Sequence, residues 1–539
     1  MLDQRRWRLA CLAPVVVAAV LYLPGIGQRA LYLGDEARYA LLARTMIETG
    51  DWLVPRIGGE VHLEKSPLFI WAIAALSMAD RRVTELTAVL PAALSGIGGV
   101  AATLVLAGRL FGRRVALLSA FALVATWGYF WHARMALADM MVTFFAVAAA
   151  AAFASVVATR ESRPLPLAVC WVCLGLGLSA KGPVALMPLI PFAWFLVRED
   201  GWRALGQLRP LMGVLIVALV TAPWVLPFAL RSGVSYVETV IVADFVGPRL
   251  RAWDSAAELF FAVGPIGVGF LPWTVFLPAA VRHGWWRPAD EGTRRAFRFL
   301  VYWVAAYVIV ITLLPHKRDR YLLATYPVLA IMVGWLWDRW ATSPRPAAVR
   351  LHAWVWAAGA LVLAVLALAP PRARAEVMVL LPPTLTGRLL VAGLFVGAAA
   401  LAVVAAHHQR PLAAFAAICA PMVLLLGYES RVYVAGYNRV FDVRSLAERL
   451  AGRAAVTDRL VTYRYQPLAL EFYTGRPVVR ASTADQLRAL VSDGRPVYVI
   501  ADDRAWGTVP GVTGRPWNVV DQSDVAGRKL IVGAMADGR

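Results

Sequence analysis

The sequence predicts an α-helical integral membrane bundle of about thirteen spans, followed by a small soluble α/β domain, on three observations. Of its 539 residues 60% are apolar and 16% charged, whereas soluble domains carry about 25% charged residues. Apolar runs of about 18 residues or more recur from the N-terminus to residue 427. The remaining residues have the composition of an ordinary soluble domain. The formal net charge of +20 divides as +16 before residue 429 and +4 from there on. The basic excess therefore belongs to loops beside a bilayer, where it orients helices and meets anionic headgroups, and no nucleic-acid partner is expected.

Windows of about 19 residues place the spans at 9–27, 84–108, 115–132, 139–158, 165–180, 182–198, 209–230, 258–281, 296–314, 321–341, 351–369, 386–406 and 411–427. The first has no small-residue cleavage site after it and reads as an uncleaved anchor. Arginines at the N-terminus, at 109–114, 160–163, 198–203, 282–295, 339–350 and at 410 fall on alternate loops, which assigns those loops to the cytoplasm. The segment 28–83, the loops 231–257 and 315–320 and the C-terminal region then face the opposite side. Within 28–83, RYALLARTMIETG and SPLFIWAIAALSM have apolar faces at helical spacing and suit helices lying on the membrane surface. This divides the chain into a membrane domain, 1–428, and a soluble domain, 429–539. The latter alternates strand-like LVTYR, PVVR, PVYVIA and KLIVGAM with helical VRSLAERLAG and STADQLRALVSD.

Cys11, Cys170, Cys173 and Cys419 all lie in apolar segments, so neither a disulfide framework nor a zinc site is expected. The lysines are more informative. Arginine outnumbers lysine fifty to four, yet Lys65, Lys181 and Lys317 all map to the outer side of the membrane part, against the charge rule. A compact ammonium suits a phosphate oxygen. The same side carries Asp35, Glu36, Glu64 and Asp139, and carboxylates at a membrane edge are functional candidates because they are costly to keep there. Each also has a structural reading: Asp139 and Asp35 as helix caps, Glu36 as the partner of Arg38 or Lys65. The hairpin LLPHKRDRYLLATYP, with His316, Lys317, Arg318, Arg320 and Tyr321, and the loop segment ADFVGPRLRAW complete a basic, aromatic outer face fit for an anionic ligand. Cations beside carboxylates are the parts needed to transfer a group from a lipid phosphate.

GDEARYALLARTMIETGDWLVPRIGGEVHLEKSPLFIW resembles the first outer segment of the glycosyltransferase C (GT-C) superfamily. The likeness is to the bacterial branch that holds the 4-amino-4-deoxy-L-arabinose transferases of lipid A and relatives of protein O-mannosyltransferases. RMALAD with Asp139, SAKGP with Lys181, PRL with Arg249 and the K-x-x-RY run from Lys317 to Tyr321 follow in order. The resemblance implies an inner-membrane transferase that takes a sugar from an undecaprenyl-phosphate carrier at the periplasmic face and places it on lipid A or another envelope acceptor. Modification of lipid A in this way underlies polymyxin resistance. By motif position Asp35 is the catalytic carboxylate and Asp139 the second acid. Lys65, Arg249 and Tyr321 hold the carrier phosphate with Lys181 and Lys317 in support, and Glu36, Arg38, Glu64 and Arg320 are supporting residues. A divalent metal ion is a candidate cofactor, with Glu64 as ligand, although no ligand spacing demands one. The sequence departs from the pattern at Ser66, where a proline often stands, and across His316 to Arg320, where a small-residue, Gly-Lys run is common. Protein or another glycan as acceptor, a lipid-linked sugar transporter or flippase, and a membrane-anchored scaffold are the competing readings. A transporter places its ionisable groups near mid-membrane, whereas these gather at one edge.

Overall fold

The computed structural model describes residues 4–58, 60–62, 66–232, 260–288, 290–314, 317–343, 345–368, 382, 384–492 and 495–535. Among the described residues nine helices are long and apolar enough to cross a membrane, or eleven if each of two bent pairs is one span. Nine of the thirteen expected spans are these nine helices, and the other four differ for identifiable reasons. Positions 115–132 and 258–281 form the bent pairs, Arg113–Val124 with Trp127–Ala133 at 68° and Val263–Gly269 with Thr274–Trp286 at 110°. Pro272, which lacks an N–H to continue a helix, sits in the second break. The apolar part of the N-terminal helix covers only Leu9–Tyr22. The stretch 182–198 is broken by Gly182, at φ +76°, and Pro183, leaving a short 3₁₀ turn and the helix Leu189–Asp200.

That break matters to the site, because it makes Lys181 the last residue of the helix Pro164–Lys181. The next helix in space, Ala138–Thr159, carries Asp139 in its first turn. The segment 28–83 forms the expected helices, Gly34–Thr49 and Pro67–Leu76, separated by a small hairpin in which Arg56–Ile57 pairs with Glu60–Val61. Gly50, at φ +71°, closes the first helix in the left-handed conformation that its C-cap requires. This helix is less exposed than a surface helix would be. Nine of its sixteen residues are buried, because it packs against both Pro67–Leu76 and the C-terminal helix Leu468–Thr474.

The C-terminal region holds a five-stranded sheet in the order Val478–Ala481, Arg459–Tyr463, Val497–Asp502, Arg528–Met535, Trp517–Val525. The first three strands are parallel and the last two join antiparallel. The helices Val443–Arg453 and Ala484–Val491 stand where the pattern puts them. Four strands follow the expected runs. The fifth, Trp517–Val525, is an edge strand whose Asn518, Asp521, Gln522, Ser523 and Asp524 hide it from a reading based on apolar alternation.

One contiguous core runs from the bundle into this region, and includes Phe69, Ala88, Phe130, Leu446, Phe472 and Leu530. Polar ties reinforce it: Leu31 N–H donates to the Tyr473 hydroxyl at 2.7 Å, Arg44 donates to the Phe472 carbonyl at 2.8 Å, and Arg444 pairs with Glu85 at 3.0 Å. Glu471 stands in the same seam, where burial raises its carboxyl pKa, opposed by a Val478 N–H, Arg44 and His62. A carboxyl whose pKa is higher folded than unfolded favours folding only while protonated, so stability is lost as pH rises through the folded value. Glu471→Gln is therefore expected to raise the melting temperature of purified protein at pH 8, with the gain vanishing at pH 4 and below. A thermal-melt series across that range checks it.

Candidate functional site

Asp35 and Asp139 both occupy first turns of helices, where backbone N–H groups and the helix dipole favour an anion. Neither is a cap: Leu33 and Leu137 hold the N-cap positions and make no side-chain cap bond. Both carboxylates instead turn to cations brought in by other elements. Asp139 pairs with Lys181 at the end of its helix. Arg320, on the 3₁₀ helix Asp319–Thr325, donates to Asp35 Oδ2 at 2.6 Å, and its Nε lies 3.5 Å from Asp139 Oδ2. Arg38, one turn on from Asp35, donates to the other carboxylate oxygen at 3.2 Å. The side chain of Asp139 is 7% exposed and that of Arg320 16%, whereas Asp35 is 28% exposed and so reachable from outside.

Lys181 Nζ also sits 5.1 Å from the centre of the Tyr321 ring, a cation–π contact. Asp139, Lys181, Arg320 and Tyr321 line one partly open cavity together with Val142, Thr143, Val184, Met187, Tyr307 and Ala324. Two carboxylates thus face three fixed cations, Arg38, Lys181 and Arg320. The excess positive charge suits a monoanion such as a phosphodiester.

Glu36, next to Asp35, has a different task. It is fully buried, pairs with both terminal nitrogens of Arg29 and accepts the Ala136 N–H at 2.9 Å. Its partner among the described residues is therefore Arg29, and Arg38 pairs with Asp35 instead; Lys65 lies outside the described residues. Arg134 lies beside this pair and donates to the carbonyls of Leu21, Tyr22 and Pro24 at 2.8–3.1 Å. Burial, with Arg29 alongside, lowers the Arg134 guanidinium to about 10. Glu36 thereby ties Arg29, the start of the helix Gly34–Thr49 and the turn before Ala138 to one another, and Arg134 adds the end of the first helix.

Of the residues expected from sequence, the fold brings together Asp35, Arg38, Asp139, Lys181, Arg320 and Tyr321. Lys317 is half-buried three residues before Arg320. Glu64, Lys65, Arg249 and His316 lie outside the described residues. Tyr39 was not expected as a site residue. It is buried one turn beyond Asp35, stacks edge-on against Phe69 at 5.0 Å, and burial together with Asp139 and Asp35 raises its phenol pKa. Its i, i+4 spacing from Asp35 was the available signal. His132, whose Nε2 lies 3.7 Å from Asp319, also escaped the sequence reading. Among the described residues no three His, Cys, Asp or Glu side chains group as a metal site. Asp35 and Asp139 are each engaged by cationic side chains, so the pair does not fit a divalent ion.

Comparison with known proteins places this geometry. A crystal structure of ArnT from Cupriavidus metallidurans in the apo state superposes with a TM-score of 0.79 over 97% of both chains, at 20% identity. The fold is the GT-C transferase fold. ArnT from the same organism bound to undecaprenyl phosphate matches with a TM-score of 0.76 at 20% identity, over 99% of this chain and 98% of that one. Residues 64–226 match the family described as dolichyl-phosphate-mannose-protein mannosyltransferase. The undecaprenyl phosphate-α-4-amino-4-deoxy-L-arabinose arabinosyl transferase of Pectobacterium atrosepticum is 26% identical over 337 residues, 60% of this chain and 58% of that one. The chain spans 58–63% of the length of the first curated relatives it matches. The GT-C resemblance read from the sequence is borne out, and the chain is a multi-pass membrane protein.

Proposed function

We propose that the chain transfers a sugar, 4-amino-4-deoxy-L-arabinose, from an undecaprenyl-phosphate carrier to a phosphate of lipid A at the periplasmic face of the inner membrane. Residues 1–428 form the transferase body, and the soluble region 429–539 faces the periplasm and covers the Asp35 helix. The observation that carries this reading is a pocket lined by Asp139, Lys181, Arg320 and Tyr321, to which Asp35 is joined through its ion pair with Arg320, with a surplus of cations. The ArnT fold and the curated relatives named for this donor and sugar support it.

In this reading the carrier phosphate enters the cavity and meets Lys181 and Tyr321, with Lys65, Arg249 and Lys317 completing its shell. The bond between the anomeric carbon and the phosphate oxygen breaks with its electron pair on the phosphate, and cations stabilise that leaving group. The acceptor oxygen attacks the opposite face of the sugar, giving inversion. A lipid A phosphate is already anionic and needs little base. Asp35 then steadies positive charge at the anomeric carbon, whereas for a hydroxyl acceptor it would take the proton. Asp139 fixes the Lys181 ammonium and one edge of Arg320.

The mannosyltransferase match over 64–226 favours a second reading, the same donor chemistry with a protein or another envelope glycan as acceptor. One experiment separates the two. Mass spectrometry of lipid A and of periplasmic glycoproteins is run on a deletion strain complemented with wild type or Asp35→Asn. The proposal expects a pentosamine increment on lipid A phosphate with wild type alone. A sugar lost from protein or glycan instead, with lipid A unchanged, would replace it by the second reading.

A further inference from the structure

We infer that the carrier phosphate and Asp35 compete for Arg320, so that Asp35 is held in an ion pair until a donor is bound. This deepens the transferase reading and rests on it. Arg320 contacts both carboxylates of the site, Asp35 at 2.6 Å and Asp139 at 3.5 Å. It also lines the cavity beside Lys181 and Tyr321, so a phosphate placed there meets its guanidinium. Its Nε–H is buried and makes no hydrogen bond among the described residues, and the same is true of Arg38 Nε. A guanidinium offers five N–H donors, and a buried donor left unmet is costly. A phosphate, with several acceptor oxygens, meets more of these donors than a carboxylate does.

The chemistry gives the exchange a purpose. A carboxylate paired with arginine is a weakened base, since the paired cation favours its charged form. Once Arg320 turns to the phosphate, Asp35 keeps Arg38 alone of the two arginines and turns more of its charge to the anomeric carbon, to steady positive charge there or, with a hydroxyl acceptor, to take the proton. The donor phosphodiester carries one negative charge. When the bond from the anomeric carbon to the phosphate oxygen breaks, the electron pair stays on that oxygen and the carrier leaves as a phosphomonoester with a second charge. The acceptor oxygen forms the new bond to the anomeric carbon, and its proton, where it has one, goes to Asp35. Arg320 thus binds the leaving group more strongly as its charge grows, which is the form of interaction that raises a rate. Arg320 acts here as a positioning residue for Asp35 as well as a phosphate ligand.

Competition has a thermodynamic signature, because coupling between two ligands of one group is reciprocal. Removing Asp35 must tighten phosphate binding even as it abolishes transfer. Full-length protein in nanodiscs is titrated with undecaprenyl phosphate, and with undecaprenol as the phosphate-free probe. Wild type, Asp35→Asn, Arg320→Gln and the double variant are compared, with Asp35→Ser in place of Asp35→Asn if the latter does not fold. Expected is a gain of about tenfold in undecaprenyl phosphate affinity for Asp35→Asn, a loss for Arg320→Gln, and less than about a twofold effect of Asp35→Asn when Arg320 is already absent. Undecaprenol binding stays level throughout. Absence of the gain would overturn the competition. So would an equal gain in both backgrounds, which reports charge removal alone. If wild type does not prefer undecaprenyl phosphate to undecaprenol, the transferase reading itself fails, and the inference with it.

Discussion

Asp35→Asn is expected to lower sugar transfer from an undecaprenyl-phosphate donor by about 10²–10³-fold, the range for loss of a group that stabilises charge in the transition state. The substitution keeps the shape of the side chain and its place in the first helical turn, so the fold around it is preserved. What it removes is the charge that meets Arg320 and Arg38 and that the reacting sugar would face. The check is initial-rate transfer with purified protein at saturating donor. A fall in kcat without a rise in KM is expected, because the substitution takes away an interaction made in the transition state and leaves the phosphate ligands in place.

The largest effect on stability is expected one residue away. Glu36→Gln takes from Arg29 the buried carboxylate that meets both its terminal nitrogens while Arg134 stands alongside, so two guanidinium groups share a pocket that has lost this negative charge. Breaking a buried pair from one side typically costs about 3–5 kcal/mol. A marked fall in melting temperature in detergent is expected, together with lost expression, whereas Asp35→Asn changes the melting temperature little. Neighbouring acids in the same DE pair are thus expected to separate into a catalytic and a structural role, and paired thermal melts and transfer assays of the two variants check it.

Much of the site was legible because its residues break a rule. Asp35, Asp139, Lys181 and Tyr321 stand out as ionisable or aromatic groups at a membrane edge, where bland residues are the default. Arg320 was readable as a supporting residue of the K-x-x-RY run, not as the group that joins both carboxylates. Its central position depends on where a 3₁₀ turn delivers it against two other helices, which no local pattern encodes. The partner of Glu36 was misread for a similar reason: Arg38 is close on the helix, but Arg29 approaches from the turn before the helix and outcompetes it by burial. The long apolar runs gave the spans faithfully wherever the helix was continuous. They overstated the spans where the break at Pro272 bends an apolar stretch, or where the 3₁₀ turn Pro183–Leu186 shortens the helix that follows, without changing the hydropathy. Burial of the Gly34–Thr49 helix was hidden as well, since its cover, Leu468–Thr474, lies more than four hundred residues later.

The most direct test of the account is cleavage of the donor by the purified protein in proteoliposomes. Undecaprenyl phosphate carrying radiolabelled aminoarabinose is supplied with lipid A, and both lipid products are resolved. The account predicts release of undecaprenyl phosphate matched by label on lipid A with wild type, and neither with Asp35→Asn. Movement of intact donor between leaflets with no cleavage would contradict it and identify a transporter instead.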